Sequence, residues 1–186
     1  MTTDQRILDL AERLVQTRGY NGFSYADIAA SLGVTKASLH YHFPAKAALG
    51  KELIGRYERN FLAALTAIDA TVKRPRDKLR RYAAIYADVL AEGRMCLCGM
   101  LAAEYATLPK AMQQELRHYF AENERWLAAV LEDGRRAGDL AYKGSAREAA
   151  SLLVSSLEGA MMLARSHGNM KRFRALADRL IAGLAA

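Results

Sequence analysis

From Ile7 to Leu184 the apolar residues of this chain recur three and four positions apart, and no segment alternates apolar with polar side chains as a half-buried strand does. That pattern confines the fold to the all-α class. Ile7, Leu10, Ala11, Leu14 and Val15 mark the inner face of a first helix over about residues 4–18. Gly19 ends it, since glycine takes a left-handed backbone without a steric penalty. Ser24 with Asp27 three residues on forms a capping-box pattern ahead of Ile28, Ala29 and Leu32, and Gly33 breaks this second, short helix. Thr35 caps a third, for which Val34, Leu39 and Phe43 supply the apolar contacts. Pro44 cannot continue its hydrogen bonding, so a new helix begins near Ala45 and carries Leu49, Leu53, Tyr57, Phe61 and Leu65.

The helical spacing persists to the end of the chain. Leu79, Tyr82, Ala83, Tyr86 and Leu90 mark one segment and residues 97–105 another. Met112, Leu116, Tyr119, Phe120, Leu127, Val130 and Leu131 mark a long third, started by Thr107 and Pro109 and stopped near Gly138. Ser145 and Glu148 form a full capping box before Ala149, Leu152, Leu153, Ser156, Leu157, Ala160 and Leu163. Phe173, Leu176, Ala177, Leu180 and Leu184 stripe the last helix.

The third helix is the unusual one. Thr35 to Phe43 gathers basic, hydroxyl and aromatic side chains on a short segment that follows a helix and a glycine turn. This is the arrangement of the second, groove-entering helix of a helix-turn-helix. A formal charge of +7 suits an anionic partner, yet residues 1–60 hold eight Lys or Arg against six Asp or Glu. The inference to DNA therefore rests on placement and not on total charge. The denser basic run from Lys73 to Arg81 reads as a solvated loop and helix start.

The residues Phe23-Ser24-Tyr25-Ala26-Asp27-Ile28-Ala29, with Leu32-Gly33-Val34-Thr35-Lys36-Ala37-Ser38-Leu39-His40-Tyr41-His42-Phe43-Pro44-Ala45-Lys46, resemble the DNA-binding domain of the TetR/AcrR transcriptional regulators. The resemblance implies a helix-turn-helix domain over residues 1–46. A long helix joins it to an effector-binding and dimerisation domain over 47–186. It also implies a homodimeric repressor that leaves double-stranded operator DNA when a small molecule binds. Carried over position by position, Thr35, Lys36, Ala37 and His40 face base edges. Tyr41, His42 and Lys46 approach phosphates, as does Ser24 or Tyr25 at the start of the preceding helix. Many members have Tyr where this chain has His40. The chemistry agrees in kind, because Lys donates to guanine acceptors and the small Ala37 permits close approach.

Two regions bear on the effector. Cys96 and Cys98 lie with Met95 and Met100 at a helix start, where a thiol is more readily ionised. One reading makes either a sensor of oxidants or electrophiles, since the stretch also resembles a branch of the family that includes electrophile-responsive repressors. The other makes both cysteines small apolar core residues. Tyr82, Tyr86, Met100, Tyr105, Tyr119, Phe120, Trp126 and Met162 are candidates for the walls of an apolar effector cavity, or else ordinary core. Glu104 is the only charge between Arg94 and Lys110, so burial would require a partner for it, and a cationic or hydroxylated effector would be one.

Ala149, Leu153, Ser156, Leu157, Ala160 and Ala164 on the penultimate helix, with Phe173, Leu176 and Leu180 on the last, are the expected dimer contacts. Two-fold symmetry would make the operator a palindrome. The alternatives are a nonspecific architectural DNA-binding protein or an enzyme working in the helical-domain cavity. None of the hydrolase, metalloprotease or phosphate-loop motifs is found, the histidines lack metal spacing, and no cofactor is expected. Two cysteines and a polar, helix-forming amino terminus suit a reducing cytoplasm. The longest uncharged stretch, Met95 to Ala103, is too short to span a bilayer.

Overall fold

The computed structural model describes residues 2–186, and among them nine α-helices account for nearly all regular structure. They are α1 (Thr3–Arg18), α2 (Tyr25–Leu32), α3 (Lys36–His42), α4 (Lys46–Thr71), α5 (Pro75–Ala91), α6 (Leu97–Ala103), α7 (Lys110–Arg136), α8 (Ala146–Ser166) and α9 (Met170–Ala182). A single 3-10 turn, Tyr105–Thr107, follows α6, and an isolated antiparallel bridge joins Leu140 to Ala185. Among the described residues no helix is long and apolar enough to cross a membrane.

Local chemistry sets most of the boundaries. The Thr2 hydroxyl accepts from the Gln5 N–H while the Gln5 side chain accepts from the Thr2 N–H, which closes the open end of α1. The same reciprocal pair between Ser145 and Glu148 starts α8, and the Asn169 side chain accepts from the Arg172 N–H at α9. Pro75 opens α5 after Arg74, so the basic run straddles a loop and a helix start as the sequence predicts. Gly33 ends α2 in the left-handed region, at φ 67° and ψ 34°. Gly19 departs from expectation. Its φ is +84° but its ψ is 167°, so it ends α1 in an extended form open only to glycine and not in the left-handed helical form. The carboxylate of Glu104 stands beside it.

The chain divides into two compact units. The first joins residues up to 60 with residues 96–119, and the second joins 61–95 with 120–186. In the first, Ile7, Ala11, Val15, Ile28, Leu39, Leu49, Leu53 and Ile54 are buried with Leu97, Leu101, Met112 and Leu116, and α6 packs against α1. Arg56 on α4 reaches Asp9 at 2.6 Å and Glu12 at 2.5 Å, both on α1. In the second, α9 packs on α5 and α8, burying Leu79, Ala83, Leu153, Leu157, Phe173, Ala177 and Ile181.

Candidate nucleic-acid interface

Helix α3 has only seven residues, too few to be stable alone, so its position depends on its neighbours. Thr35 starts it by accepting the Ser38 N–H at 3.1 Å. Leu39, its one buried residue, is 0% exposed. Val34 and Phe43 are half-buried on either side. With Leu39 turned inward, Thr35, Lys36, Ala37, His40 and Tyr41 are left in solvent, Tyr41 at 85% exposure. A large aromatic ring held out in water contributes nothing to the core and is available to a partner.

The flanks of α3 are tied down. Tyr25 is half-buried, and its hydroxyl donates to the Phe43 carbonyl at 2.8 Å. Burial, with a smaller contribution from Tyr20, pushes the Tyr25 phenol up to about 12. Its ring lies 4.9 Å from that of His40, whose Nδ1 is 3.1 Å from the Pro44 carbonyl oxygen. Asp27 accepts both the Ser24 hydroxyl and the Ser24 N–H at 2.7 Å, and these bonds hold its carboxyl below the ordinary value. His42 is paired with Asp4 of α1. Lys46 donates to the carbonyls of Tyr20, at 2.6 Å, and Phe23, with its ammonium 4.5 Å and 4.3 Å from the centres of their rings. Burial pushes this ammonium below its ordinary value, against the pull of Glu104 and Asp27.

Of the residues expected at DNA, Thr35, Lys36, Ala37, His40 and Tyr41 are exposed on α3 and its cap, Ser24 is exposed at the start of α2, and Tyr25 is half-buried with its hydroxyl on the Phe43 carbonyl. His42 and Lys46 are instead engaged within the fold. No sequence signal distinguishes these uses, because both partners are distant in the chain.

Glu104 is half-buried, and its partner is the backbone of the α1–α2 turn. Its carboxylate accepts the Tyr20 N–H at 2.5 Å and the Asn21 N–H at 3.2 Å. Cys96 and Cys98 are buried thiols not joined in a disulfide, at 2% and 0% exposure. Cys96 caps α6, its sulfur accepting the Gly99 N–H at 3.4 Å and lying 3.8 Å from the Tyr57 hydroxyl. Cys96, Cys98, Met100, Tyr105 and Tyr119 all belong to the first unit. In the second unit Tyr82, Tyr86 and Trp126 do come together. The Tyr82 and Tyr86 hydroxyls are 2.9 Å apart, Tyr82 donates to Asn123 at 2.8 Å, and Trp126 stacks on Tyr82 at 5.8 Å. The Trp126 indole donates to Asp69 at 2.8 Å, Phe120 is half-buried, and Asn123 was not legible as a core residue from its type. Met162, expected with them, is 54% exposed. Among the described residues no group of side chains could hold a metal ion.

The expected dimer contacts are mostly spent inside the chain. Ala149, Leu153, Leu157, Ala160, Ala164 and Phe173 are buried by the packing of α8 and α9, Ser156 and Leu180 are half-buried, and Leu176 is exposed. The large apolar side chains that α8 leaves in solvent are Leu152, Met162 and Leu163. A groove of about 420 Å³ beside Leu152 is lined by Leu153, Leu180 and Leu184 as well. Helix α8 is apolar on more than one face, which is the signal that could have found this stripe.

Residues 7–53 match the family model described as "Bacterial regulatory proteins, tetR family", and residues 61–180 match the "Tetracyclin repressor-like, C-terminal domain". Among solved structures, the chain is similar to a TetR-family transcriptional regulator from Agrobacterium tumefaciens, at 34% identity and a TM-score of 0.95, covering 98% of this chain and 97% of that one. A TetR transcriptional regulator from Legionella pneumophila is 30% identical with a TM-score of 0.90, covering 99% and 98%. The reduced form of E. coli NemR shares the fold, at 22% identity and a TM-score of 0.81, covering 100% and 98%. No curated protein matches the chain.

Proposed function

This chain belongs to the TetR family of bacterial regulatory proteins and is a DNA-binding transcriptional regulator, not an enzyme; from that premise we propose that it is a repressor released from a palindromic operator by a small-molecule effector. Operator binding and dimerisation are what the family implies. The observation that carries the reading is the solvent-facing row Thr35, Lys36, Ala37, His40 and Tyr41, fixed in place by the burial of Leu39. In this reading the first four face base edges, Ser24 and Tyr41 approach phosphates, and Tyr25 would do so only by giving up its bond to the Phe43 carbonyl. His42 and Lys46 would have to leave Asp4 and the turn carbonyls to reach a phosphate, so they act first as braces.

A second subunit docks on the exposed stripe of α8, Leu152, Met162 and Leu163, with Leu176 of α9. A two-fold pair carries two copies of α3, and a palindromic operator matches that symmetry. The effector is taken in the second unit, where Tyr82, Tyr86 and Asn123 provide a few polar groups among the rings of Phe61 and Trp126. Their hydroxyl and amide groups satisfy one another, so an effector carrying a hydroxyl would enter by exchanging one of these bonds. It acts by binding more tightly to the conformation that holds DNA poorly.

The test is a gel shift on the upstream intergenic DNA. Lys36→Ala weakens binding to the operator by about 1–3 kcal/mol if its base contact is bidentate, and Tyr41→Ala weakens binding to operator and unrelated DNA alike. Unchanged affinity in both variants would remove α3 from the interface. An architectural protein would instead show little preference between operator and random DNA at fixed salt.

A further inference from the structure

We propose that Glu104 is a positioning residue for DNA binding: its carboxylate clamps the α1–α2 turn of the reading head to helix α6, and operator affinity depends on it although it touches no DNA. The proposal rests on the reading of α3 as the DNA-contacting helix. Glu104 lies at the end of α6, and 84 residues separate it from Tyr20, whose N–H it accepts at 2.5 Å. The Asn21 N–H reaches the other carboxylate oxygen at 3.2 Å, and the Asn21 side chain donates to the Thr107 hydroxyl at 2.8 Å. Two consecutive amides of the turn thus converge on one anion, an arrangement whose bonds are stronger than those to a neutral acceptor.

Gly19 shows that the site is built around the carboxylate. A Cβ placed on Gly19 would lie 2.9 Å from Glu104 Oε1, and the φ of +84° with extended ψ is itself open only to glycine. The turn accepts this conformation because it brings the next two N–H groups onto Glu104. The opposite side of the same turn is held by a cation. Lys46, just after α3, donates to the carbonyls of Tyr20 and Phe23. The turn's peptide groups therefore bridge an acid at the end of α6 and a base at the start of α4, and the segment between the turn and that base is α2, Gly33 and α3. Release of the acid frees the amide side of that bridge and leaves α3 held by fewer constraints.

The sign of the effect separates this role from simple electrostatics. Glu104→Gln removes a negative charge from the DNA-binding unit, which by long-range attraction alone would tighten binding to an anionic duplex. A clamp predicts the reverse. The glutamine amide offers one acceptor where there were two and turns a donor toward a backbone N–H, so operator affinity falls by about tenfold or more. Because no phosphate contact is lost, the slope of log affinity against log salt stays that of the unsubstituted protein. Glu104→Asp, which keeps the charge on a shorter arm, recovers part of the loss.

The experiment measures operator affinity at several salt concentrations for the full chain and its Glu104→Gln, Glu104→Asp and Lys36→Ala variants, with amide hydrogen exchange of Tyr20 and Asn21. Slow exchange at both amides in the unsubstituted protein, faster exchange in Glu104→Gln, weakened binding at an unchanged salt slope and partial rescue by Asp support the clamp. Equal or tighter binding by Glu104→Gln overturns it. So does rapid exchange of both amides in the unsubstituted protein, a result that needs no variant to fold. If Lys36→Ala weakens operator binding while Glu104→Gln does not, only the clamp fails; if Lys36→Ala is also without effect, the placement of α3 on DNA fails first.

Discussion

Replacing Leu39 with alanine tests whether the reading helix is held by one side chain. Leu39 is 0% exposed and is the only buried residue of α3, a helix too short to persist without tertiary support. Truncating a fully buried leucine costs about 2–5 kcal/mol, the transfer free energy of the lost carbons together with the cavity they leave. A cost of about 3 kcal/mol lowers the melting temperature by roughly 6–12 °C in a chain of this size. Tyr41, two positions along the same helix, is 85% exposed, and its replacement by alanine should change stability by no more than about 0.5 kcal/mol. Thermal unfolding of the two variants, followed by circular dichroism, gives the comparison directly. The two substitutions should also separate in function, since Leu39→Ala reduces DNA binding only through the fraction of heads left folded, whereas Tyr41→Ala acts at the surface. A Leu39→Ala variant that melts within a degree of the unsubstituted protein, or a Tyr41→Ala variant that falls as far, would refute the division of α3 into one inner anchor and an outer contact face.

Two further outcomes follow from the same contacts. Leu152→Asp with Leu163→Asp should give a monomer of unchanged helicity in analytical ultracentrifugation, because both positions are exposed on α8; a dimer that survives both charges would place the second subunit elsewhere. Acid should destabilise the protein through four carboxylates whose values in the folded state lie below the ordinary ones: Asp69, where burial is outweighed by the bonds from Lys78 and Trp126, and three lowered first by hydrogen bonds. The three are Asp27, through the Ser24 hydroxyl and then its N–H, Asp139, through the Arg76 N–H and then the Arg74 side chain, and Glu148, through the Ser145 N–H and then its hydroxyl. Their contribution is complete above the unfolded-state values and is lost as pH falls through the lowered folded-state values. Asp27→Asn should therefore flatten the acid limb of the stability profile below about pH 4, and an identical limb in variant and parent would dissociate the Ser24 bonds from stability.

Much of this architecture was legible in the linear chain because it is written in short-range chemistry. The helices, the caps at Ser24, Thr35 and Ser145, the stop at Gly33 and the break at Pro44 each depend on residues a few positions apart. The inward Leu39 and the outward Lys36 and Tyr41 follow from one turn of helical periodicity. What the reading missed depends on partners far away. The spacing on α8 sets Leu152 and Leu163 in one series with Leu153 and Leu157 but does not say which of them α9 and α5 cover, so the contacts expected between subunits are largely buried within one.

The amino-acid sequence by itself determined the secondary structure, the helix-turn-helix and the side chains that α3 turns to solvent, because these depend on interactions within about one helical turn. Only the tertiary structure decided that Glu104 serves the turn at Tyr20 and Asn21, that Lys46 and His42 are braced within the head, and that Leu152, Met162 and Leu163 remain uncovered. Hydrogen bonds and burial across long stretches of chain depend on which surfaces packing brings together, and local residue patterns do not encode that choice.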